Sequence, residues 1–226
     1  MCGRYNIITD AQALYDAYQV EADIVEGRLA RYNVAPATDQ LVIVAEGGRC
    51  AARWHRWGLI PHWAKDAAVG YKTINARGET VAAKPAFRAA LRQRRCLVPA
   101  SGFYEWQVQG AGKQPYLIRP RNGALISFAG LWESWAGPEG EVRSFAIITT
   151  APNALMARIH DRMPAIIPRE QHARWLDPAL QDPAGIQPMI ASYPATELEA
   201  VPIGRQINNA RNQGPELIEP AGAPLA

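Results

Sequence analysis

The sequence predicts an α+β fold: a mainly antiparallel, barrel-like or sandwich β core with a few flanking helices. Strand-like runs outnumber helical ones, and they do not alternate with helices one for one. A doubly wound sheet would need such alternation, and no glycine-rich phosphate loop precedes a helix. A nucleotide cofactor is therefore not expected, and the chain is read as using no cofactor at all.

The elements follow in order. Thr9-Asp10 is placed to cap a short helix through about Tyr18. Residues 40–45 (QLVIVA) and 51–57 flank Glu46-Gly47-Gly48-Arg49, a hairpin signal. A helix is expected over 79–94, broken or restarted at Lys84-Pro85 because proline has no amide donor. Strands are expected at 95–98, 102–108, 115–118, 124–132 and 142–150, separated by turns such as 109–112 and 121–123. Short helices are expected at 152–158 and 168–176.

At 226 residues, 48% hydrophobic and 20% charged, the chain fits one domain spanning 1–226 with a substantial core. Residues 207–226, rich in Asn, Gly and Pro, read as an irregular tail packed on the body. No apolar run is long enough for a membrane span, and the first residues lack a secretory pattern, so a cytoplasmic location is expected. Cys2, Cys50 and Cys96 form no CxxC pair, which argues against a disulfide framework and a thiolate zinc site. Cys50 and Cys96 fall in strand-like runs and are expected as buried small hydrophobes. His55 and His62 lack a carboxylate cluster, so no metal site is expected.

The net charge of +3 identifies no partner, but its makeup is uneven: only four of the 24 basic residues are Lys. Arg suits bidentate phosphate contact and stacking on flat rings. The same bias follows from GC-rich codons, and composition does not separate the two readings.

Cys2 is the most informative residue. Removal of Met1 would leave a 1,2-aminothiol, whose amine (pKa about 7.7–8.0) is substantially neutral near pH 7. Such an amine condenses with an aldehyde to an imine, and the thiol can close onto the same carbon as a thiazolidine. Position alone does not distinguish this from an accident of the start context. Reactive groups also gather in Asn75-Ala76-Arg77, Phe103-Tyr104-Glu105-Trp106 and His160-Asp161-Arg162. Cys2, Asn75 and His160 are each followed two positions later by Arg (Arg4, Arg77, Arg162). On extended backbone, residues two apart share a face, so each Arg would accompany its reactive neighbour into one cleft.

Glu105 lies between aromatic residues. Burial there would raise its pKa and suit it to acid–base work; the competing reading is an ordinary solvent-facing strand residue. The His160–Asp161 pair carries little weight, because adjacent residues rarely face each other well. Seven Trp are present. Trp57 and Trp132 are read as core, whereas an exposed Trp beside Arg could stack an unpaired base.

These segments together resemble the SOS response-associated peptidase (SRAP) family of abasic-site processing proteins. The resemblance rests on MCGRY at the start, RYNVAP (31–36), WGLIPHW (57–63), NARGET (75–80), GFYEW (102–106), KQPY (113–116), FAGLWE (128–133), IITTAPN (147–153), HDRMP (160–164) and INNARNQGPELIEP (207–220). It covers nearly the whole chain in order. It implies a single SRAP domain that binds single-stranded DNA and crosslinks Cys2, freed of Met1, to the aldehyde form of an abasic deoxyribose. By motif position Asn75 would orient the Cys2 amine, Glu105 would assist ring opening and proton transfer, and His160 would act beside the abasic carbon. Arg4, Arg77 and Arg162 would contact phosphate, and Trp106 and Trp63 would support flanking bases. A monomer without a membrane partner is expected, nucleoid-associated when on DNA. The alternatives are an N-terminal-nucleophile amidohydrolase, a thiol peptidase using Cys2, His160 and Asn75, and a single-strand-binding module whose reactive groups are incidental.

Overall fold

A computed structural model describes residues 2–20, 28–110 and 112–225. The strands are β1 (Tyr5–Asp10), β2 (Arg28–Val34), β3 (Asp39–Glu46), β4 (Arg49–Trp57), β5 (Asn75–Arg77) and β6 (Arg95–Ala100). They continue as β7 (Gly102–Gln109), β8 (Gly112–Pro120), β9 (Ile126–Gly137), β10 (Gly140–Thr150), β11 (Met163–Pro164) and β12 (Leu198–Pro202). The helices are α1 (Ala11–Tyr18), α2 (Arg88–Gln93), α3 (His172–Leu176) and α4 (Pro183–Ile186).

Five strands close on themselves. β3 pairs with β4, β4 with β10, β10 with β9, β9 with β6, and β6 returns to β3. The β4–β10 pairing is parallel and the other four are antiparallel, so the barrel is mixed. Closure removes the exposed edges that an open sheet would present. β5 and β11 both attach to β10. A second, antiparallel sheet runs in the order β12-β8-β7-β1-β2.

Alternation along the barrel strands feeds two hydrophobic clusters. Leu41, Ile43, Leu97 and Ile148 pack with Leu14, Leu91 and Trp175 of the helices. Val42, Val44, Val98 and Ile147 pack with Tyr5, Ile7, Phe103 and Ile118 of the second sheet, and Cys2 belongs to this cluster. Aromatic contacts bind the sheet to the barrel: Tyr5 meets Trp57 at 5.3 Å between ring centroids and Phe128 edge-on at 5.8 Å, and Phe103 meets Phe128 edge-on at 5.9 Å. Each such pair contributes about 0.5–1.5 kcal/mol beyond its buried area. Tyr5 lies three residues from Cys2, so this aromatic lock fixes the strand that presents it.

Asp10 caps α1 as expected, its carboxylate accepting from the Ala13 amide. The Gly47-Gly48 turn between β3 and β4 has φ of 56° and 79°, the left-handed pair that a two-residue hairpin requires. The helix expected over 79–94 is corrected to α2 alone. Ahead of it, the Thr80 carbonyl accepts from both Ala83 and Lys84, and Lys84 from both Phe87 and Arg88, so separate turns replace a continuous helix around Pro85. The helix expected at 152–158 is a 3₁₀ turn, Met156–Arg158, and the one at 168–176 is a 3₁₀ turn leading into α3. β9 and β10 run on to a tight hairpin well past the expected strand ends. Cys96 is fully buried, but Cys50 and Trp132 are only partly so.

The tail lies against the body. Ile207 and Leu217 are buried, the Ala221 amide donates to Pro202 at 2.8 Å, and the Leu225 amide donates to Ala200 at 2.9 Å. Among the described residues no helix is long and apolar enough to cross a membrane.

Candidate functional site

The register of β1 on β7 carries Cys2 towards Glu105. Tyr5 pairs with Phe103, Asn6 pairs with Gly102, and the Tyr104 amide donates to the Arg4 carbonyl at 3.0 Å. Cys2 continues this line beyond the end of β1 and is fully buried. Asn75 arrives from β5, held on β10 opposite Ile147, and its Nδ2 donates to the Cys2 carbonyl at 2.9 Å. Met1, whose removal the aminothiol chemistry requires, lies outside the described residues.

Burial holds the Cys2 thiol well above its ordinary range, with the nearby Glu105 carboxylate adding to the effect. At neutral pH the sulfur is therefore a thiol and not a thiolate. Glu105 is 3% exposed, and burial raises its pKa from 4.5 to about 7. The solvent-facing alternative for this residue is excluded: β7 turns it inward. A carboxyl near 7 is half protonated at neutral pH and can both donate and accept a proton.

His160 follows the Met156–Arg158 turn, and burial lowers its pKa from the ordinary value. Its Nδ1 lies 2.9 Å from Asp161 Oδ1 and 3.0 Å from the Arg162 amide nitrogen. The two contacts demand different protonation of Nδ1. In the neutral ring with the proton on Nε2, Nδ1 accepts from Arg162; in the charged ring it faces Asp161. The adjacent His160 and Asp161, given little weight as a pair from sequence, do face each other here, although the Asp161 side chain is 86% exposed.

The three Arg differ in what they touch. Arg4 Nη1 donates to Asn33 Oδ1 at 2.7 Å and to the Ile207 carbonyl at 3.0 Å, within the body of the protein. Arg162 forms a two-pronged pair with Glu79, Nη1–Oε1 2.5 Å and Nη2–Oε2 3.0 Å, and Nη2 also donates to the Thr149 carbonyl at 2.7 Å. Arg77, opposite Thr149 on β10, is exposed. Trp63 is 55% exposed on the loop after β4, with Tyr71 at 66% further along it. Trp106 packs with Tyr104 and Ile207, and its Nε1 donates to Asn208 Oδ1 at 2.7 Å.

The residues that sequence reasoning passed over are Asn33, Glu79 and Thr149. Asn33 is buried in β2, and its Nδ2 lies within hydrogen-bond distance of three carbonyls: Ile207 (3.3 Å), Asn209 (2.9 Å) and Asn212 (3.1 Å). Gln213 brackets the Asn33 backbone, accepting from its amide at 3.2 Å and donating to its carbonyl at 3.0 Å. Asn33 and Glu79 stand inside the RYNVAP and NARGET segments, so the motifs contained them without revealing their partners. A cavity of about 700 Å³ lined by Tyr18, Ser127, Arg169 and His172 contains none of the predicted site residues. Among the described residues no group of three or more His, Cys, Asp or Glu is arranged to hold a metal ion.

The model of the SOS response associated peptidase (SRAP) family matches residues 1–210. The abasic site processing protein YoqW of Bacillus subtilis is 41% identical over 222 residues, covering 97% of this chain and 99% of its own. The abasic site processing protein HMCES of Xenopus tropicalis is 33% identical over 219 residues, covering 83% of this chain and 65% of its own. A crystal structure of a Bacteroides thetaiotaomicron protein superposes with a TM-score of 0.85 at 27% identity, covering 97% of this chain and 100% of that one. A phage-related protein from Bordetella bronchiseptica gives 0.71 at 31% identity, covering 89% of this chain and 94% of that one. This chain belongs to the SOS response associated peptidase (SRAP) family.

Proposed function

We propose that the protein processes abasic sites in single-stranded DNA by forming a covalent crosslink through Cys2. The observation that carries this reading is the Asn75 amide seated on the Cys2 carbonyl, beside a buried carboxyl whose pKa lies near 7. It is joined by the names of the curated relatives, which are abasic site processing proteins.

An abasic deoxyribose is mostly a closed hemiacetal. Glu105 moves the proton that opens the ring and frees the C1′ aldehyde. With Met1 removed, the Cys2 amine attacks that carbon, and loss of one water gives an imine. The thiol sulfur then adds to the imine carbon while its proton passes to the nitrogen, closing a thiazolidine. The thiol's raised pKa fits this order, since the amine acts as first nucleophile and the sulfur as the closing one. Asn75 fixes the Cys2 backbone, His160 serves proton transfer beside the abasic carbon, and Arg77 and Arg162 hold the flanking phosphates. Arg4 acts through Asn33 as a positioning residue. Trp63 and Trp106 support neighbouring bases. Slow closure leaves the imine open to β-elimination, a minor lyase route, and peptidase chemistry is confined to the removal of Met1. A buried, protonated thiol is a poor starting point for a thiol peptidase or amidohydrolase acting on other substrates.

Met1-free protein incubated with abasic single-stranded DNA should give an adduct that survives denaturation. Borohydride should leave it unchanged, because a closed ring offers no imine to reduce. Cys2→Ala should abolish this borohydride-insensitive adduct; an equal yield from that variant would remove the mechanism.

A further inference from the structure

Arg162 is assigned above to a DNA phosphate, yet a carboxylate already occupies its fork. Glu79 contacts both terminal nitrogens, at 2.5 and 3.0 Å, in the parallel two-bond geometry that guanidinium also uses for phosphate. The partners are unequal in mobility. The Arg162 side chain is 15% exposed and further tied to the Thr149 carbonyl, whereas the Glu79 side chain is 52% exposed. Glu79 can therefore swing away while Arg162 stays in place. The hydrogen bond from Arg162 holds the Glu79 carboxyl below its usual pKa, with the smallest contribution from the Arg77 charge. Asn75, two residues before Arg77 on β5, places this cluster next to the Cys2 backbone.

We propose that Glu79 is a stand-in for a DNA phosphate, seated on Arg162 in the free protein and displaced when a strand enters. Its effect is selectivity. A single small anion gains too little to eject a two-pronged carboxylate, whereas a strand held at Arg77 as well supplies a phosphate at high local concentration. Binding then exchanges one anion for another at Arg162, and the site gains less from counterion release than two free Arg would give. This inference rests on the single-strand reading above and deepens it.

The test is binding of a short fluorescein-labelled oligothymidylate without abasic sites, followed by anisotropy over a range of salt. Glu79→Gln and Glu79→Ala should each bind roughly two- to fivefold tighter at low salt, the worth of a partly exposed ion pair. Their plots of log affinity against log salt should be steeper than wild type by about 0.7, one further single-strand phosphate neutralised by an uncompensated Arg. Thermal melts of both variants would verify that they are folded. Weaker binding with a shallower slope would mean that Glu79 holds Arg162 in its working position, overturning the proposal. An unchanged slope would mean that Arg162 meets no phosphate even when freed of Glu79, which also overturns it. Failure of the wild type itself to bind the strand would instead remove the underlying function, and this control separates the two failures.

Discussion

Arg4 and Asn33 are bonded side chain to side chain at 2.7 Å, and the Asn33 amide reaches on to carbonyls between Ile207 and Asn212. The strand that carries Cys2 is thereby tied to a segment from the other end of the chain. Both polar atoms of the Asn33 side chain are used, and the residue is buried. This clasp gives the Cys2 backbone a fixed position from which Asn75 can aim it.

Asn33→Ala would leave buried carbonyls and part of a guanidinium without partners. The expected loss is about 2–3 kcal/mol of stability, well above that of an ordinary surface change. Thermal denaturation measures it. Adduct formation should also slow at temperatures where the variant is still folded, because Arg4 and the tail no longer fix Cys2. Unaltered melting and unaltered adduct rate would show that the clasp is dispensable.

Glu105 should leave its mark on two pH profiles. The rate of adduct formation should bend near pH 7, and Glu105→Gln should lose that bend and slow the reaction by roughly 10²–10⁴. Stability should move the other way. The folded pKa of about 7 lies above the ordinary 4.5, so the residue's contribution is fully present below pH 4.5 and lost as pH rises through 7. Glu105→Gln should thus match wild type in acid and exceed it at pH 8 by up to about 3 kcal/mol. Urea titrations at several pH values measure the difference; a constant gap would refute the assignment.

Arg77 is the exposed cation of the site. Arg77→Ala should weaken binding of single-stranded DNA without regard to sequence, and should lower the salt slope by about 0.7. Melting should hardly change, since the side chain lies on the surface. A normal slope with weakened binding would indicate a role other than phosphate contact.

The strands were legible because each carries its own local signal. The Gly47-Gly48 turn fixes a hairpin from four residues, and period-two alternation places Glu105 in an apolar run. What was not legible depends on partners distant in sequence. The local sequence around Glu105 admits an inward or a solvent-facing side chain, and it is β1 and β8 flanking β7 that bury it. Residues 79–87 look helical in composition, but the turns around Pro85 displace the regular ladder. Asn33 is 174 residues from Ile207, and nothing within β2 announces that this polar residue is satisfied by the tail. The regularity of Cys2, Asn75 and His160, each followed by Arg at the second position, was visible as a pattern. That the three Arg meet a buried Asn, open solvent and a carboxylate was not.

The clasp between β2 and residues 207–212 also orders events in time. Ribosomes deliver β1 and Asn33 early, and the carbonyls that Asn33 needs emerge only after a further 174 residues. At roughly 5–20 residues per second, that is an interval on the order of 10–35 s. Throughout it the nascent chain carries Cys2 without the frame that aims it. A product cut short before residue 207 would keep Cys2 and lose the carbonyls that Asn33 holds, so the frame is complete only once residues 207–212 are made.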